Sequence, residues 1–342
     1  MVVRDKIILM KKHRGYDALR VIMILFVIFI HENPSIDKNG WVVMWWHSVV
    51  QCAVPVFFVL SAYFFFQKME RFTIEVYEKK LKTRLKTLLL TYIIWNCVPG
   101  LLVVAGNIYS ILFRGKSTCD LNSFLIGLWD DGLWHIWWDK TNGMPFNSPL
   151  WYVRDLMVLC ALSPVIFYLV KRWGIWWIAL VSMLFVIGMH FPIGISVTGI
   201  LFFSIGCMWS IKSLQICHLN CKKTIIILVA LFVLSNFFEI EFLHQLFILG
   251  LAMLLIKLFG AVKSGWVEYV AQYTDSIFFV LAVHNIFILA NVGKLLNRVF
   301  TGTSSWIIYW IAPFVTLTIC IILHRTLKKI APNLMNILCG GR

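Results

Sequence analysis

Arg20-Val21-Ile22-Met23-Ile24-Leu25-Phe26-Val27-Ile28-Phe29-Ile30-His31 is an apolar run closed at each end by an ionisable side chain. On an α-helix an eleven-residue step is about three turns, so Arg20 and His31 face the same way, about 16 Å apart along the axis. The length and apolarity of the run suit the interior of a bilayer. An ionisable residue at that depth costs at least ~2.5 kcal/mol, less for a neutral His, and marks a functional site by default.

The rest of the chain extends the pattern. Apolar residues make up 60% of it and charged residues only 14%, where a soluble domain carries about 25% charged residues. The apolar residues fall in blocks of about 18–25, long enough to span a bilayer. The chain therefore reads as an all-α, polytopic integral membrane protein with ten spans, at 16–33, 42–66, 87–112, 149–170, 173–190, 193–211, 224–238, 244–262, 274–292 and 305–323. Residues 1–342 form one transmembrane domain in this reading, with no soluble domain. The first run has no small-residue cleavage site and holds two ionisable residues, so it is not a cleaved signal.

A net charge of +15 invites a nucleic-acid partner. The distribution excludes one. Of the 31 Lys and Arg, 23 fall in alternate segments that include both termini, six fall in the others, and Arg20 and Arg154 lie within spans. That asymmetry is the positive-inside pattern of a membrane protein. It predicts a multi-pass protein of the inner (cytoplasmic) membrane with both termini cytoplasmic. The 68–86 segment then reads as a basic cytoplasmic loop, with seven basic residues against three acidic. The nine cysteines lie mostly in apolar runs, where Cys acts as a small hydrophobe. Cys217-His218 and Cys221 have a metal-like spacing, but no second pair completes it, so no metal is expected.

Four constellations carry chemistry. In the first, Asp17 and Arg20 are three apart and can pair on one helix face. His31 lies in the outer half of the bilayer, where a neutral imidazole can take a proton from an alcohol. Glu32, next to it, could tune its basicity. The structural alternative is a polar residue satisfied by a neighbouring helix. In the second, Ser61 and Ala62 within Val54–Phe64 are small enough to let another helix approach closely. The third is Pro149-Leu150-Trp151-Tyr152-Val153-Arg154-Asp155-Leu156. Adjacent residues point about 100° apart on a helix, so Arg154 and Asp155 are expected to find separate partners around a polar cavity. The fourth is Tyr273-Thr274-Asp275-Ser276 followed by Val283-His284-Asn285, with His284 near mid-membrane and able to bond between helices. The longest loop, 113–148, adds Trp129-Asp130-Asp131 and Trp134-His135-Ile136-Trp137-Trp138-Asp139. Aromatic faces beside carboxylates suit sugar binding, and equally an interfacial Trp belt.

In these residues the chain resembles the membrane-bound acyltransferase 3 family, bacterial enzymes that O-acylate extracytoplasmic glycans. Arg20 and His31 match the Arg and His of that family's first helix. Phe57, Phe58, Ser61 and Tyr63 match its Phe-Phe-x-x-Ser-Gly-Tyr/Phe element, and Leu150, Trp151 and Tyr152 its Leu-Trp-Tyr/Phe pattern. Ser276 and His284 anchor a looser match to its late motif. The resemblance runs from about residue 12 to 330.

What it implies is transfer of an acyl group, acetyl in the first instance, from acyl-CoA to a hydroxyl of a cell-surface carbohydrate. Acyl-CoA (acetyl-CoA) would be a co-substrate, with no tightly bound cofactor. His31 would be the general base, and Arg20 would orient a substrate or hold the first helix through Asp17. Asp17, Glu32, Trp151, Arg154, Asp155 and His284 are the candidate substrate contacts. Arg71, Lys82, Arg84 and Lys86 are candidates for the CoA phosphates, since Lys and Arg are the usual phosphate partners. Topology signalling and attraction to anionic lipid explain the same charges. Two departures stand out: Ala62 replaces the usual Gly, and no fused soluble domain follows the last span, so the chain is expected to work alone, or with a separate extracytoplasmic partner or as a homo-oligomer. The alternative from another class is a ten-span transporter or flippase with His31 and Arg20 on its pathway.

Overall fold

A computed structural model describes residues 2–32, 40–67, 72–114, 136–137, 143–189, 191, 195–212, 220–300 and 305–341. Among these residues every regular element is helical. In chain order they are α1 (Val2–His31), α2 (Gly40–Val50), α3 (Ala53–Phe66), α4 (Ile74–Arg114), α5 (Trp151–Ala161), α6 (Ser163–Trp173), α7 (Ile175–Val186), α8 (Val197–Lys212), α9 (Cys221–Phe238) and α10 (Glu241–Ala261). After them come α11 (Gly265–Ala271), α12 (Ile277–Val283), a π-helical segment His284–Leu289, α13 (Ala290–Val299), α14 (Ser305–Ile330) and α15 (Pro332–Leu338).

An apolar exterior identifies the solvent of this bundle as lipid. Trp176 is 78% exposed, Phe237 71% and Ile226 69%. Such a surface would be strongly unfavourable in water. Helices are the only open-chain elements that satisfy their own backbone in hydrocarbon, which is why an apolar chain of this length folds as helices throughout.

The expected ten spans are corrected in number. Among the described residues, six helical stretches are long and apolar enough, by length and composition, to cross a membrane, or seven if α5 and α6, bent by 68° between them, count as one. Two further expected spans are only short apolar helices, Ile175–Val186 and Val197–Ile211. The first expected span is not among them, because the last 18 residues of α1 hold Arg14, Asp17 and Arg20. The 68–86 loop is also corrected, because α4 begins at Ile74 and carries most of those basic residues on helix.

Helices α1, α3 and α8 form the centre. Gly206 of α8 sits against α3 so closely that an added Cβ would collide with the Val59 carbonyl and lie 2.8 Å from the Ala62 Cβ. The small residues Ser61 and Ala62 thus do admit a neighbouring helix, and Gly206 supplies the gap on the other side. Aromatic rings lock the three helices. Tyr63 stacks on Trp209 at 4.1 Å, and Tyr16 meets the edges of both, at 6.2 and 5.7 Å. Amides serve as glue elsewhere. The Asn147 side chain donates to the Trp95 and Ala282 carbonyls, and its backbone N–H donates to Asn96 Oδ1, tying α4 to α12 through the start of α5.

Candidate active site

One cavity of about 620 Å³ lies inside the bundle, and both Arg20 and His31 open onto it. The eleven-residue step along α1 therefore runs down its wall, giving it a length of about three helical turns. Around the two ionisable groups, α3 contributes Phe57, Ser61 and Phe64, α4 contributes Arg84 and Leu88, and α5 contributes Trp151 and Tyr152. Gln51, Ser148, Thr198 and Gln245 add uncharged polar groups to the wall.

The Arg20 end is positively charged. Arg20 Nη1 donates to Asp17 Oδ1 at 3.3 Å, the expected pair on one helix face. Its guanidinium also lies 4.7 Å from the centroid of the Phe64 ring. Arg84 is an electrostatic neighbour of Arg20 across the cavity. Two guanidinium groups beside one carboxylate leave an excess of positive charge there, in a polar niche walled by apolar side chains. Arginine forks of this kind bind phosphate oxygens in pairs.

The other end is organised by histidine. The His31 ring lies 5.3 Å from that of His284, centroid to centroid. His284 is fully buried, and its Nδ1 bonds to the Val280 and Leu281 carbonyls at 2.9 and 3.1 Å. The expected helix-to-helix bond from His284 is therefore replaced by bonds within its own helix. On the cavity wall, Ser61 Oγ and the Tyr152 hydroxyl bond at 2.8 Å, joining the residues that carried the second and third constellations, and Tyr152 is an electrostatic neighbour of Arg20.

Arg154 and Asp155 correct the sequence reading. They pair with each other: Arg154 Nε and Nη2 donate to Asp155 Oδ1 at 3.1 and 3.0 Å. The 100° between adjacent Cβ vectors does not forbid this, because the long Arg stem folds back over its neighbour. Arg154 Nη1 also donates to the Trp137 and Gly143 carbonyls, and Asp155 Oδ2 accepts from the Ser196 N–H. The pair is thus a clasp between two loops, bordering a second cavity of about 310 Å³ that shares Trp151 with the first. Neither residue faces the main cavity.

The remaining candidates separate by position. Trp151 lines the cavity. Glu32 follows His31 at the end of α1 but is not part of the wall. Lys82 and Lys86 are exposed on α4, away from the cavity, and Arg71 lies outside the described residues. Lys80 donates instead to the Phe65 and Gln67 carbonyls at the end of α3. Most of the Trp- and Asp-rich loop, with Cys217 and His218, also lies outside the described residues. Among the described residues no group of three or more His, Cys, Asp or Glu could hold a metal ion. Gln51 and Gln245 are additions that no sequence motif singled out, and their only signal is polarity inside apolar runs. Ser61 and Tyr152 stood in quoted motifs, but the bond between them across two helices was not legible there.

Comparison with known proteins follows the same residues. Residues 13–325 match the model of a family described as an acyltransferase domain. The chain is similar to the succinoglycan biosynthesis protein ExoH of Rhizobium meliloti (strain 1021), 25% identical over 360 aligned residues that cover 95% of this chain and 91% of that protein. No solved structure matches.

Proposed function

The chain belongs to the acyltransferase family that its residues 13–325 match, and from that premise we propose that it moves an acyl group from acyl-CoA, in the simplest case acetyl-CoA, to a hydroxyl of an extracytoplasmic carbohydrate. The observation that carries this reading is that the 620 Å³ cavity has Arg20 and Arg84 in its wall and His31 about three turns further along. Positive charge at one end suits the phosphates of CoA. The extended pantetheine arm then has the length to bring a thioester to the other end. The acceptor class rests on the relative, whose name places it in the biosynthesis of a polysaccharide.

The chemistry needs one base and no redox step. His31 takes the proton of the acceptor hydroxyl as its oxygen attacks the thioester carbonyl carbon. The tetrahedral adduct collapses by breaking the C–S bond, and the proton returns from His31 to the departing CoA thiolate. A positioned base contributes ~10²–10⁴-fold. Enclosure within the bundle keeps water from competing for the thioester. Ser61, Tyr152, Gln51 and Gln245 are the groups available to hold acceptor hydroxyls. The Lys and Arg distribution orients the Arg84 side toward the cytoplasm, where acyl-CoA is made.

Purified protein in detergent, given acetyl-CoA and a cell-surface oligosaccharide, tests the proposal. Labelled acetyl appears on the oligosaccharide with stoichiometric release of CoA thiol if the reading is right. Transport of the oligosaccharide by reconstituted protein, with acetyl-CoA untouched, would instead favour a flippase.

A further inference from the structure

His284 is the one fully buried histidine beside His31, and its two nitrogens are unlike. Nδ1 faces two carbonyl oxygens, Val280 and Leu281, which only accept hydrogen bonds. Nδ1 therefore carries the proton. Nε2 is then a bare lone pair, and it is buried with no hydrogen-bond partner among the described residues. An orphaned acceptor at that depth is costly unless something supplies a donor. The backbone here is also irregular: winding changes from α to π at His284, a feature that tends to accompany functional sites.

We propose that His284 is a positioning residue that accepts an N–H from His31 and stabilises its protonated form. This inference rests on His31 being the base. The two rings lie 5.3 Å apart, centroid to centroid and tilted by 54°, with no hydrogen bond between them, so a small shift on protonation of His31 brings an N–H within reach of Nε2. When His31 takes the acceptor's proton it becomes an imidazolium with two N–H groups. One holds the transferred proton toward the cavity and the other needs an acceptor on the far side of the ring. His284 Nε2, buried and unpartnered among the described residues on the ring that touches His31, is the acceptor available to it. Its tautomer is fixed in advance by its own helix, so it plays toward His31 the part a carboxylate plays toward a catalytic imidazole. A neutral partner does this without placing a second charge in the bundle.

The other titratable groups at this end are Glu32 just past α1, His47 on α2, which acts on His31 electrostatically, Tyr309 on α14 and His244 on α10. The test leaves all of them in place. Carbethoxylation of His31 by diethylpyrocarbonate, followed by peptide mass spectrometry across a pH series, reports the proton affinity of His31 without any acyl transfer. Because a bond to the imidazolium favours the charged form, its loss moves the midpoint down. In His284→Ala the midpoint should fall by about one to two pH units. In His284→Gln, which keeps an acceptor oxygen, it should stay near that of the wild type. The acid limb of kcat should move with it, and kcat of the Ala variant should drop about 10–100-fold with donor KM unchanged. If His284→Ala does not fold, His284→Phe fills the space without an acceptor and takes its place. An unchanged midpoint in the acceptor-free variant, or Gln and Ala shifting together, overturns the proposal. Failure of the wild type to transfer acetyl, with the midpoint shift intact, would count against the acyl-transfer reading alone.

Discussion

His31 lines the cavity and its ring lies against that of His284, and the proposed chemistry makes it the base. His31→Gln keeps the hydrogen bonding of a polar side chain but cannot take a proton at neutral pH. Its kcat should fall by ~10²–10⁴, with acetyl-CoA binding and the melting temperature in detergent close to wild type. Wild-type turnover in a well-folded His31→Gln sample would make His31 a packing residue. Arg154 and Asp155 give the contrasting case. Asp155 is fully buried and holds both Arg154 and the Ser196 N–H. Asp155→Leu should therefore destabilise the fold by about 3–5 kcal/mol, since it leaves a buried guanidinium without its partner. A matched Arg154→Met, Asp155→Leu double variant should recover much of that loss in the same melt. The alignment of Arg20 with His31 was legible in the sequence because helix geometry fixes it. The Arg154–Asp155 pair was not, because the reach and rotamer of a long side chain are not set by the angle between Cβ vectors. Nor was the contact between His31 and His284, which depends on two helices separated by most of the chain.

At the scale of elements, the close packing of α8 on α3 holds the wall of the cavity. Gly206→Val would force an added side chain into the Val59 carbonyl and Ala62. Overpacking of this kind costs about 1–3 kcal/mol, and it displaces Ser61 from Tyr152. The expected outcome is a lower melting temperature together with a higher KM for the acceptor; an unchanged Gly206→Val protein would show that the two helices separate freely. Helix α4 carries the donor hypothesis. Arg84 alone of the α4 candidates Lys82, Arg84 and Lys86 lines the cavity. Arg84→Gln should raise the KM for acetyl-CoA about tenfold with kcat little changed, whereas Lys82→Gln should leave both alone. Equal effects of the two would point to general charge rather than phosphate binding. Existence and type of these elements could be read from apolar blocks. Their ends and breaks were read less well: the amphiphilic first turns of α4 look like a loop when charge alone is weighed, and the 68° bend between α5 and α6 falls at Ser163-Pro164, a breaker inside a stretch read as one span.

For the whole molecule, an interior path from Arg20 to His31 means that donor and acceptor need not share a side of the membrane. The Lys and Arg asymmetry predicts that Lys82 and Arg298, both exposed, lie on opposite faces. Cysteines placed at these two positions should be labelled from opposite sides by an impermeant maleimide, and labelling of both from one side would overturn the orientation. Composition alone made the lipid environment legible, because no aqueous fold exposes so much apolar surface. The number of crossings was less legible, since short helices such as α7 and α8 are apolar without being long enough to cross. The most direct measurement uses sealed vesicles holding the protein in one orientation, with labelled acetyl-CoA supplied only on the Lys82 face and an oligosaccharide only on the other. Wild-type protein should deliver acetyl to the oligosaccharide while the CoA thiol stays on the donor side, and His31→Gln should deliver none above background. Acetylation that proceeds only when donor and acceptor are placed on the same side would contradict a path through the bundle.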